Sequence, residues 1–172
     1  MNTKILKLNT LAMFVAIGVV ISPILRVEGF APMAHLVNVV CAVFMGPWYA
    51  LANAVATAFI RMTLMGVPPL ALTGQVFGAV LAGILYRGSK GKLIFASLGE
   101  VIGTGIIGSI ASYPIMKIIM GRGELTWFFY TPSFTIASLI GSSAAYILLK
   151  TLQKTKILIK IQNQLGGKSY EK

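Results

Sequence analysis

One carboxylate, Glu100, stands near the middle of an otherwise apolar segment spanning about 93–118. If that segment lies in lipid, the carboxylate costs on the order of 3 kcal/mol to insert, so it must face protein or a wet cavity. Thr104 and Gly108 follow at steps of four and share its helix face, which makes a polar, uncrowded stripe. Glu100 is thus a candidate ligand acceptor or proton-linked group. The plainer reading is a buried carboxyl that ties its helix to a neighbour, for instance through Asn53. His35 and Asn38, one turn apart, and Gln75 also carry two readings: ligand contact, or hydrogen bonds to nearby loops. A single histidine builds neither a catalytic metal site nor a relay on its own, so no catalytic or metal-binding residue is expected. Trp127, Phe128, Phe129 and Tyr130 precede Thr131-Pro-Ser133. Aromatics in such a cluster usually anchor a membrane boundary, yet one ring turned inward could stack on a planar ligand. Ser109, Ser112 and Tyr113 would reach the same region. Arg61 and Lys117 fall near segment ends, where long side chains reach water, and are read as anchors.

The elements that must position these residues are membrane helices. Of 172 residues, 56% are hydrophobic and 11% charged, and the mean hydropathy is +0.83. A soluble domain is nearer a quarter charged, because its surface faces water. A first span is expected over Leu8 to Leu25, too long for an ordinary signal h-region and without a convincing cleavage pattern. The uncharged stretch from Gly29 to Ile60 would make one helix of about 48 Å, but Gly46-Pro47 divides it into spans of about 31–45 and 48–65. The former is short enough to stand nearly upright or to begin below the surface. Val67-Pro-Pro69 marks the next turn, and spans follow at about 70–86, 93–118 and 125–149. The predicted fold is an all-α integral membrane protein of six transmembrane helices. Residues 1–150 form the membrane domain, and 151–172 form a basic tail that frays near Gly166-Gly167. Small residues at Gly74, Gly78, Gly99, Gly103, Gly105 and Gly108 have the spacing that lets helix backbones approach closely in lipid.

A net charge of +11 would suggest nucleic acid in a soluble protein, but here it sets orientation. Lys4, Lys7, Arg87, Lys90, Lys92, Lys150, Lys154, Lys156, Lys160, Lys168 and Lys172 fall on one side. Only Arg26, Arg61, Lys117 and Arg122 fall on the other. The chain is therefore expected to be a multi-pass protein of the plasma membrane with both termini in the cytoplasm, and no nucleic-acid partner is implied. Cys41 lacks a second cysteine to pair with. Gly167-Lys-Ser169 resembles the close of a phosphate-binding loop, but the first glycine that motif requires is Gln162 and no strand precedes it. A rhomboid-type protease needs a serine followed by a histidine, and His35 precedes every plausible serine. No cofactor is implied, and energy for any transport must come from a partner or a gradient.

Four separated motifs carry a family resemblance: Ala31-Pro-Met-Ala-His-Leu-Val-Asn38, Gly46-Pro-Trp-Tyr-Ala50, Ala82-Gly-Ile-Leu-Tyr-Arg87 and Leu98-Gly-Glu-Val-Ile-Gly-Thr-Gly-Ile-Ile-Gly108. Together, over roughly residues 8–150, the chain resembles the ThiW family of thiazole-specific substrate-binding (S) components of energy-coupling factor (ECF) transporters. The resemblance implies a six-helix S-component bundle that captures its ligand from outside the prokaryotic cell. It also implies partners, a transmembrane T component and two ABC-type ATPases, and a heterocyclic cargo, the hydroxyethylthiazole moiety of thiamine. An Ala-x-x-x-Ala pattern on the first helix meets the T component in S components, and Ala12 and Ala16 match it. Ligand contacts in such proteins come from the outer halves of the last three helices and the outer loops. That points to Gln75, Ser109, Tyr113 and Trp127, with the segment from Arg26 to Pro32 as a lid and Glu100 lying deeper. Two other classes remain open on the residues alone: a self-sufficient secondary transporter using Glu100, and an intramembrane enzyme.

Overall fold

The computed structural model describes residues 2–26, 29–166 and 170. The Gly167–Ser169 sequence, and part of the lid expected between Arg26 and Pro32, lie outside the described residues. All regular elements found are helical: α1 (Thr3–Ile21), α2 (Pro32–Met45), α3 (Pro47–Met65), α4 (Leu70–Gly88), α5 (Leu93–Ile102), a π segment (Gly103–Gly108), α6 (Ser109–Ile119), α7 (Thr131–Lys154) and α8 (Ile157–Gln164). Since α5, the π segment and α6 form one continuous rod, six rods cross the bundle. Four of them, α1, α4, Leu93–Ile119 and α7, are long and apolar enough to span a membrane. Helix α2 has only 14 residues, and α3 is diluted by Asn53, Thr57 and Arg61.

The boundaries follow local chemistry. Asn2 caps α1 by accepting from the Lys4 amide at 3.0 Å, so the helix starts five residues before the expected Leu8. It stops before Pro23, short of Leu25, and the Ser22 hydroxyl turns back to the Gly18 carbonyl. Gly46, at φ +93°, makes the corner between α2 and α3, with Pro47 opening the second helix. The largest shift is at α7, which begins at Thr131 instead of 125. Residues 125–130 fold as turns, with Phe129 N–H to Thr126 at 3.1 Å and Thr131 N–H to Phe128 at 3.1 Å. Pro132 then sits in the first helical turn, where its missing N–H costs nothing.

Helix α4 is the hub, packed against α2, α3, α5, α6 and the π segment. The glycine ladder explains how closely it is approached: a Cβ at Gly99 would lie 2.6 Å from the Leu81 backbone, and one at Gly103 would lie 2.6 Å from the Phe77 carbonyl. Helix α1 is peripheral. It packs on α2 and α3 and buries only Gly18. Two apolar clusters close the bundle. Val39, Val43, Tyr86, Leu93, Leu149 and Leu158 pack near the termini, and Leu70, Met116, Leu125, Tyr130 and Phe134 pack at the opposite end. The tail is docked, since Gln162 of α8 donates to the Val43 carbonyl at 2.8 Å and lies 3.0 Å from the Tyr86 hydroxyl.

Candidate functional site

A polar layer lies between the two apolar clusters, and Glu100 is its centre. The side chain is fully buried. Its Oε1 lies 2.7 Å from His35 Nδ1, accepts from Asn38 Nδ2 at 3.2 Å and lies 3.2 Å from Thr104 Oγ1. Asn38 also donates to the Gln75 carbonyl at 3.3 Å, and Thr104 to the Gly74 carbonyl at 2.9 Å. Three helices, α2, α4 and α5, are thereby tied through one carboxylate oxygen. The expected tie from Glu100 to α3 through Asn53 is replaced by this tie to α2. Gly78 makes it possible, because any Cβ there would overlap Thr104 Oγ1 and the Glu100 carboxyl. Oε2 of Glu100 and Oδ1 of Asn38 have no hydrogen-bond partner among the described residues.

The π segment starts three residues after Glu100. Its wider turn uses an extra residue, so Glu100, Thr104, Ser109 and Ser112 all stay buried along one rod. Ser109 is used up in local bonds, to the Gly105 carbonyl at 2.7 Å and to Thr131 Oγ1 at 2.9 Å. Ser112 Oγ lies 2.5 Å from Thr73 Oγ1.

Above the Glu100 layer, at the end away from the termini, a cavity of about 330 Å³ opens. Its origin lies in α2. Fourteen residues rise about 21 Å, well short of a hydrocarbon core about 30 Å thick, so α2 begins deep and leaves a well over Pro32. The floor is His35, Ala34 and Gln75, one wall is Gly74 and Phe134, and the mouth is Arg26, Gly29 and Phe30. The Phe134 ring lies against α4 at Gly74, where a Cβ would come within 2.9 Å of it. His35 links the two levels, lining the cavity while its Nδ1 meets Glu100.

The expected site residues therefore divide. His35 and Gln75 line the cavity; Glu100, Asn38 and Thr104 lie directly behind it. Ser109, Tyr113 and Trp127 do not line it. The Tyr113 and Trp127 rings instead face each other, with centroids 4.3 Å apart. Trp127, Phe128 and Phe129 are exposed, whereas Tyr130 and Phe134 are buried. The inward ring on this stretch that reaches the cavity is Phe134, four positions beyond Tyr130, where the cluster read from sequence ends.

Arg61 is the larger surprise. It is only 2% exposed, it lines the cavity, and its Nε and Nη1 have no hydrogen-bond partner among the described residues. Position near a helix end suggested an anchor, but the Gly66 corner turns the chain back over α3, with its N–H on the Arg61 carbonyl. Lys117 does behave as an exposed side chain, donating to the Tyr113 hydroxyl at 3.0 Å.

The family described as "Thiamine-precursor transporter protein (ThiW)" matches residues 8–155. The chain belongs to this family. No curated protein and no solved structure matches it. As a ThiW protein it is a membrane transporter for a thiamine precursor, and the well above His35 is its candidate binding site.

Proposed function

We propose that this ThiW protein is the S component of an ECF-type importer in a prokaryotic plasma membrane. It captures the thiazole moiety of thiamine, hydroxyethylthiazole, and relies on a T component and two ABC-type ATPases for uptake. The observation that carries this reading is the cavity of about 330 Å³ with Phe134 and Phe30 on its sides and His35, Gln75, Arg26 and Arg61 as its polar groups. That volume is at the small end for ligand pockets, and a five-membered heterocycle needs an apolar slot with a few placed polar groups. Purified protein released from its detergent micelle and examined by mass spectrometry should yield a thiazole. An unrelated vitamin precursor in its place would overturn the cargo and leave the transporter.

The well should open to the outside, with both termini in the cytoplasm, because basic residues crowd the opposite end. Single cysteines at Ser89 and Gly121, in protein freed of Cys41, test this with an impermeant thiol reagent on intact cells. Gly121 should label and Ser89 should not; the reverse pattern would invert the topology. A second reading, proton-coupled transport without a partner, is favoured by the His35–Glu100 pair at the base of the well. Uptake by the chain alone, in vesicles without ATP, would establish it instead.

A further inference from the structure

Arg61 asks for a counter-charge that the described lining of the cavity does not contain. The side chain is buried, two of its nitrogens have no partner, and the described cavity lining includes no Asp or Glu. Glu100 is already engaged with His35, Asn38 and Thr104, and Glu124 is exposed. A buried charge left unpaired is strongly unfavourable, so such a group is normally held for a partner. Two further features have the same sign. Arg26 lines the same cavity. The N-terminus of α2 also points into it, with Ala31 and Ala34 in the lining and no side chain capping the helix. The helix dipole at that position favours negative charge.

We propose that the cavity takes an anionic ligand, a planar heterocycle carrying a phosphate ester or a carboxylate, with Arg61 as the residue that grips the anion. The guanidinium fork matches both groups and can donate two parallel hydrogen bonds to either. The ring then lies against Phe134 and Phe30, while His35 and Gln75 meet its polar edge. A neutral alcohol fills the same volume but leaves Arg61 uncompensated. This inference rests on the thiazole reading for the ring and on Arg61 alone for the charge, so the two can fail separately.

The test is calorimetry on the purified full chain with four probes: hydroxyethylthiazole, its phosphate monoester, a thiazole carboxylate, and phenyl phosphate as an anion without the thiazole. At least one thiazole anion should bind about thirtyfold or more tighter than the neutral alcohol, the loss expected when a buried charge goes unpaired. Which of the two anions binds tighter identifies the group. Arg61→Gln should abolish the preference and leave weak neutral binding intact, and Arg61→Lys should restore part of it. The wild-type comparison needs no variant, so it decides even if Arg61→Gln does not fold. Neutral alcohol bound as tightly as either anion would overturn the anion and keep the thiazole. Phenyl phosphate bound through Arg61, with no thiazole bound, would keep the anion and overturn the thiazole. Binding of no probe would overturn both.

Discussion

Glu100 holds the site together through one oxygen, and that makes its two natural replacements diverge. Glu100→Gln keeps an acceptor for His35 Nδ1, Asn38 and Thr104, in nearly the same shape. Glu100→Leu strands His35 Nδ1 and leaves Asn38 and Thr104 only their carbonyl partners on α4, and an unsatisfied buried group costs about 1–3 kcal/mol. Thermal unfolding in detergent should therefore show a large drop for Leu and a small one for Gln. Equal melting temperatures for both variants would reduce the network to a tolerated contact. If uptake depends on the carboxylate's charge, Gln folds but fails to transport, which separates the structural role from the functional one. Sequence alone pointed to Glu100 and His35 because a polar side chain in an apolar run has few reasons to be there. It did not pair them, since they are 65 positions apart in the chain and no helical spacing relates α2 to α5.

At the level of elements, most corners were legible because glycine and proline mark them. Gly46-Pro47 and Val67-Pro-Pro69 turn the chain where expected, and α4 starts at Leu70 as its apolar run suggests. The start of α7 was not legible. Residues 125–130 are as apolar as any span, and hydropathy cannot tell a buried turn from a helix when both sit at a membrane boundary. The π segment was also missed. Its signal is the density of glycine at 99, 103, 105 and 108, which reads equally well as helix packing, and the structure uses it for both purposes. Arg61 illustrates a third limit. Its position near the end of α3 suits a side chain reaching for water, and only the fold of the 66–70 corner shows that it points into a well. Phe134, likewise, is one ring among several until α4 offers Gly74 as its seat.

At the scale of the whole molecule, the peripheral placement of α1 leaves an apolar face that this chain does not cover. Ala12 and Ala16 are exposed there, in a groove of about 520 Å³ with Leu8, Leu11, Val15 and Val19 around them and Ile60 at one edge. Both alanines are exposed, so the groove is open to a helix from outside. Small residues four apart let two helix backbones approach closely in lipid, where there is no hydrophobic gain to be had and close packing decides. If the T component docks here, Ala12→Trp or Ala16→Trp should fill the groove and block assembly. Both positions are exposed, so thermal stability should hold. Ligand affinity should hold as well, because Ala12 lies eleven residues from Pro23 at the mouth of the well, about 16 Å along the helix. The measurement is one set of purified variants scored three ways: melting temperature, ligand affinity and pull-down of the energising module. Lost pull-down with the other two intact identifies the docking surface. Undiminished assembly in both variants would mean that lipid, and not a partner helix, fills this groove.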